Sequence, residues 1–154
     1  MSLLLGAAKA ADVSQLVELL EILFTQEAEL SPDPEKQRRA LELILADPSR
    51  ARIYVARERE QVLAMVALHF TTSTAEGGRV AWLEDCIVHP EHRRRGVGKA
   101  LLAHVLEQAR AEGALRVMLL TDGDNARAQA LYRKLGFAPS SMLAMRLRFG
   151  DHNL

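Results

Sequence analysis

Apolar residues recur along this chain with two different periods, and the switches between them divide it into elements. In "VSQLVELLEILF" the positions Leu16, Leu19, Leu20 and Leu23 keep the three-and-four spacing of one helical face. Asp12, with Gln15 three residues on, reads as a capping box that opens this helix. Asp33 and Pro34 read as N-cap and first position of a second helix, which turns Leu41, Ile44 and Leu45 inward and ends before Pro48. Ahead of both, "LLLGAAK" (3–9) reads as a short strand.

From residue 52 the pattern becomes that of strands. "RIYVARER" (52–59) and "QVLAMVALHFTTST" (61–74) meet at a polar turn near Glu60, the signature of a hairpin. Glu76-Gly77-Gly78 turns the chain into "RVAWLEDCIV" (79–88), which Pro90 ends. Helical spacing returns at about 96–112 in Val97, Leu101, Val105 and Ala109, with Gly113 as the stop. "LRVMLLT" (115–121) has the continuous apolar character of a covered strand. Asn125 caps a further helix that shows Ala128, Leu131 and Leu135 to the core and ends at Gly136, and "SSMLAMRLRF" (140–149) reads as a last strand. Residues 79–121 form a βαβ unit with a right-handed crossover. The expectation is one α/β domain over 1–154, its sheet mixed but mainly antiparallel, with helices on both faces.

Composition narrows the function classes. Twenty Lys/Arg against twenty Asp/Glu leave no basic excess, which disfavours a nucleic-acid partner. No apolar run approaches the ~20 residues that cross a bilayer, and the N-terminus lacks the basic start of a signal peptide. With Cys86 as the one cysteine no internal disulfide can form, so the expectation is a soluble, cytoplasmic chain. Charge is uneven: residues 1–75 hold eight Lys/Arg and eleven Asp/Glu, and the rest hold twelve and nine. Asp12, Glu18, Glu21, Glu27, Glu29, Asp33 and Glu35 follow one another without a basic residue. Such a run is either a solvated face or a surface that attracts a cation.

The strongest chemical signal is "HPEHRRRGVGKALL". A helix N-terminus offers unpartnered N–H groups and a positive dipole end, so it binds anions. Gly96 and Gly98 let a phosphate approach the backbone, and Arg93, Arg94, Arg95 and Lys99 supply charge. A Walker loop needs Ser or Thr after the lysine, but Ala100 follows Lys99; a dinucleotide fingerprint needs a third glycine where Leu101 stands. A basic residue, two others, Gly, any residue and Gly remain, placed between strand and helix. His89 and His92 lack a third ligand in this reading, and no metal is expected. Cys86 has no evident base partner and reads as a small buried residue.

"LEDCIVHPEHRRRGVGKALL" followed by "TDGDNARAQALYRKLGF" resembles the GNAT superfamily of acyl-CoA-dependent N-acetyltransferases, most fully over residues 52–137. The resemblance implies acetyl-CoA as co-substrate, its pyrophosphate on backbone amides from about Arg94 through Gly96, Val97 and Gly98 to Lys99. The two parallel strands would splay, and the pantetheine arm would pair with Cys86, Ile87 and Val88. It assigns Asn125 to the same arm, although an Asn there is also a plain N-cap. Tyr132 matches the tyrosine that protonates the leaving thiolate, and it could equally pack against the sheet. For removal of the amine proton Glu84 leads by resemblance. Asp85 is second, because a bulge would exchange their directions, and either acid could merely pair with Arg79 or Arg116. Glu27, Glu29 and Asp33 fall in the region that covers the acceptor in the family, which suggests a small cationic amine such as a polyamine or lysine-like compound. A homodimer through the last strand fits the pattern. The alternative is a catalytically silent coenzyme A binding module.

Overall fold

The computed structural model describes residues 2–27 and 30–150. In chain order it contains β1 (Leu4–Ala7), α1 (Val13–Gln26), α2 (Pro34–Ala46), β2 (Ala51–Glu58), β3 (Gln61–Ser73), β4 (Gly78–Val88), α3 (Val97–Ala111), β5 (Val117–Leu119) and α4 (Ala126–Lys134). Short 3₁₀ turns precede α1 and follow β4. The five strands form one sheet in the order β1-β2-β3-β4-β5, antiparallel except for β4 and β5. The chain falls into two compact units, Met1–Leu119 and Leu120–Leu154.

The first unit is built on strand alternation. Ile53 and Val55 of β2, Val62, Met65 and Ala67 of β3 and Ile87 of β4 pack with Val13, Leu16, Val17, Leu19, Leu20 and Leu41 of α1 and α2. Tyr54, lying between Ile53 and Val55, points the other way and meets His104 of α3 edge-on at 5.9 Å. On that side Leu101, Leu102 and Val105 of α3 are wholly buried. Helices therefore cover both faces, and most of β3 is sealed between them. Arg59, at φ 56, makes the β2–β3 turn in the left-handed conformation that short hairpin loops require.

The capping box expected at Asp12 does not form. Its side chain makes no cap bond to α1; it accepts from the Lys9 amide at 2.8 Å and from two nitrogens of Arg57 at 3.0 and 2.6 Å. An arginine arriving from β2 outcompetes a local amide for a carboxylate, because charge-assisted bidentate bonds are the stronger ones. Gln15 is likewise drawn across to the hairpin, donating to the Glu60 carbonyl and accepting from the Val62 amide.

In the second unit, Asn125 Oδ1 accepts from the Ala128 amide and starts α4 as expected. Ala128, Leu131, Tyr132 and Leu135 are half-buried along it, and the rings of Tyr132 and Phe137 meet edge-on at 5.9 Å. The last strand expected at 140–149 is absent: those residues carry no strand. Met142, Leu143, Met145, Leu147 and Phe149 are 78–95% exposed there. The alternation is present in the sequence, but a strand needs a partner to satisfy its backbone, and the sheet ends at β5.

Candidate functional site

β4 and β5 stay paired only from Ala81–Val117 to Leu83–Leu119. β4 continues through Glu84, Asp85, Cys86, Ile87 and Val88 beyond that last rung, leaving one edge of this stretch without a strand partner among the described residues. A short bridge of chain then leads to the N-terminus of α3. Two of the residues expected to pair with a ligand's amides, Cys86 and Val88, are half-buried, and Ile87 is buried.

The stretch is also bulged. Met65 pairs with Ile87 and Ala67 with Glu84, so one residue of β3 faces two of β4. Asp85 takes up the extra length at φ 56, a conformation that Asp tolerates better than most residues. Residues opposite one another share a face; Ala67 and Ile87 belong to the α1–α2 cluster, so Glu84 lies on that side as well. Glu84 is exposed there, its carboxylate 3.9 Å from Nε2 of His69. Asp85 is half-buried. Burial, and then the negative charges of Glu84 and Glu27, push its carboxyl up to about 6. Neither acid forms an ion pair with Arg79 or Arg116, which lie 3.8 Å from the Phe70 ring centroid and 3.8 Å from Glu76 respectively.

The loop before α3 is shaped by two left-handed residues, Arg94 at φ 65 and Gly96 at φ 76. Gly96 is the N-cap, and no side chain caps the helix, so the leading N–H groups at Val97, Gly98 and Lys99 remain open to an anion. The arginines differ in their engagements. Arg93 Nε donates to the Val88 carbonyl at 3.1 Å, while Arg95 reaches both His92 Nδ1 and Glu58.

His89, Glu91 and His92 bring their ligand atoms within 4.8 Å of one another, a cluster the sequence reading had left one ligand short. Nδ1 of His89 accepts from the Glu91 amide, and Nδ1 of His92 lies 2.7 Å from an Arg95 nitrogen. Arginine only donates, so the Nδ1 atom of each ring faces a donor. The structure puts Glu27 near Asp85, commits Asp33 Oδ1 to the Lys36 amide as the N-cap of α2, and leaves Glu29 outside the described residues. Asn125 and Tyr132 belong to the second unit. His69 and Glu58 escaped the sequence reading: His69 is a lone polar residue among apolar neighbours on β3 and Glu58 is one of several charges at the end of β2, and only folding brings Glu84 to the first and Arg95 to the second.

A sequence model described as the acetyltransferase (GNAT) family matches residues 14–137. Over 57 residues, 37% of this chain, the sequence is 46% identical to a mycothiol acetyltransferase of Beutenbergia cavernae, of which it covers 19%. Over 57 residues it is 39% identical to the [ribosomal protein bS18]-alanine N-acetyltransferase of Escherichia coli strain K12, of which it covers 38%. The chain thus spans well under half the length of these curated relatives. Among solved structures, a putative acetyltransferase from Agrobacterium tumefaciens str. C58 superposes with a TM-score of 0.80 over 95% of this chain and 99% of that one, at 25% identity.

Proposed function

The chain belongs to the acetyltransferase (GNAT) family, and from that premise we propose that it is a single-domain, cytoplasmic enzyme moving an acetyl group from acetyl-CoA directly to the primary amine of a small cationic acceptor. The observation that carries this reading is Asp85, a half-buried carboxyl raised to about 6 on the unpaired edge of β4. An ammonium of ordinary basicity is almost wholly protonated at neutral pH. Asp85, ionised just below that pH, takes its proton directly or through water. The nitrogen then attacks the thioester carbon; a C–N bond forms and the C–S bond breaks. Tyr132 gives a proton to the departing thiolate, an assignment resting on the "ALYRKLGF" motif; the nitrogen's second proton passes to solvent, from which the tyrosinate is reprotonated, and Asp85 releases the first.

Acetyl-CoA fits the residues present. Uncapped amides of α3 suit its pyrophosphate, and the edge from Cys86 to Val88 offers backbone groups to the amides of its arm. Asn125 is assigned to that arm by the motif. Support for a cationic acceptor comes from the convergence of Glu27 and Glu84 on Asp85, where a bound ammonium would relieve their mutual repulsion. Glu29 and Asp33 continue the same acidic run in sequence. The two named relatives act on different acceptors, so a polyamine or lysine-like compound is a reading of this chain's own charges.

The test is thiol release from acetyl-CoA across polyamines, amino acids, aminoglycosides and lysine peptides, with and without acceptor. Turnover restricted to cationic amines, weakened in Glu27→Gln and slowed about tenfold or more in Tyr132→Phe, is the expected result. Silence of folded, coenzyme-binding protein across the panel would mean a binding module instead. We further assign residues 140–149 to a homodimer contact, given the apolar side chains exposed there. Light scattering should give twice the chain mass, and a monomer at all concentrations refutes it.

A further inference from the structure

Three adjacent arginines would conventionally be credited together with holding the anion, but their partners divide the work. Arg93 spends its Nε on the Val88 carbonyl. Arg95 donates from one nitrogen to Nδ1 of His92 at 2.7 Å and from another to Glu58 Oε2 at 3.3 Å. Glu58 is the last residue of β2, an element of the sheet far from the loop in sequence. Arg94 is exposed, sits at φ 65, and has no hydrogen bond or ion pair among the described residues.

A non-glycine residue in the left-handed region is sterically disfavoured, so the loop needs restraint on both sides of Arg94. Arg93 ties one side to the end of β4, and Arg95 ties the other to β2. We propose that Glu58 is a positioning residue for the phosphate loop, acting through Arg95, and that Arg94, the one of the three arginines with no hydrogen bond or ion pair among the described residues, contributes its charge directly to the coenzyme. The inference rests on the reading of this loop as the coenzyme A site.

Two physical accounts of Glu58 give effects of opposite sign. If the loop works only as a reservoir of positive charge, removing a nearby carboxylate raises the local potential and tightens coenzyme binding. If Glu58 holds the loop in shape, removing it loosens the amides and weakens binding despite the more favourable charge. An exposed pair of this kind supports a shift of about three- to fivefold.

The experiment is calorimetric titration of coenzyme A into the full chain and its variants at several salt concentrations, with the melting temperature of each recorded. Binding by the parent protein tests the site itself, separately from Glu58. With that binding present, the expected result is a Kd raised about three- to fivefold in Glu58→Gln, restored in Glu58→Asp, and unchanged in salt dependence. Arg95→Gln should match Glu58→Gln, the double variant should be no worse than either, and only Arg94→Gln should flatten the salt slope. Tighter binding in Glu58→Gln, additive losses in the double variant, or a flattened slope in Arg95→Gln would each overturn the proposal. A parallel fall in melting temperature without a change in Kd would equally overturn it, since the pair would then serve stability alone.

Discussion

Asp85→Asn is expected to lower turnover by about 10²- to 10⁴-fold while making the protein more stable at neutral pH. Both effects come from one cause. The folded chain holds this carboxyl near 6, above its ordinary 3.8, by burial first and then by Glu84 and Glu27. Between these two values the folded state retains a proton that the unfolded state has lost, so stability falls as pH rises through that window. Above about pH 6 the full penalty is present, of the order of 3 kcal/mol at most. Asparagine removes the charge without altering size, and it tolerates the left-handed backbone at this position. Urea denaturation should therefore show the variant gaining stability at pH 7.5, with the gain vanishing near pH 4. The parent's kcat/KM should rise with pH around 6, where the base ionises. Glu84→Gln provides the contrast: loss of a neighbouring negative charge should move that profile to lower pH and leave most turnover intact. The opposite pattern, with Glu84→Gln inactive and Asp85→Asn near normal, would give the proton to Glu84.

The environment that leads us to propose Asp85 rather than Glu84 as the base was not legible in the sequence, and the reason is physical. Alternation assigns faces only while the register is regular. Here one residue of β3 opposes two of β4 between Met65 and Ala67, a slip set by strands that meet only after folding. The burial that raises Asp85, and the approach of Glu27 from the end of α1, are likewise tertiary. By contrast, Asp33-Pro34 at the head of α2 and Gly96 at the head of α3 act through their own neighbours, and the structure has both N-caps where local chemistry put them. Residues 140–149 mark the opposite limit. Their apolar pattern reads as a strand, yet pattern supplies only one side of a ladder, and no second side is present among the described residues.

Arg57→Met should be the most damaging substitution for stability outside the apolar core. Asp12 is 4% exposed, and its carboxylate is met by two Arg57 nitrogens and the Lys9 amide. Removing the arginine leaves a buried charge with a single amide donor, a change that costs about 3–5 kcal/mol. The hydrogen bonds from Arg57 hold the Asp12 carboxyl below its ordinary range. Its contribution is thus complete above about pH 4, the unfolded range, and is lost as pH falls through the lower folded value. The parent and the variant should accordingly converge in strong acid. Because Asp12 without its partner is the source of the cost, adding Asp12→Asn to Arg57→Met should recover part of the loss, a coupling that a double-mutant cycle measures directly. The pair joins the foot of α1 to β2, while the far end of the same helix brings Glu27 toward Asp85. A looser seat for α1 should then reach the site as a smaller upward displacement of the Asp85 carboxyl, visible as an acid shift of the activity profile in surviving Arg57→Met protein. An unchanged melting temperature would mean that the apolar face of α1 holds the helix alone, and the link from Asp12 to the site would fall with it.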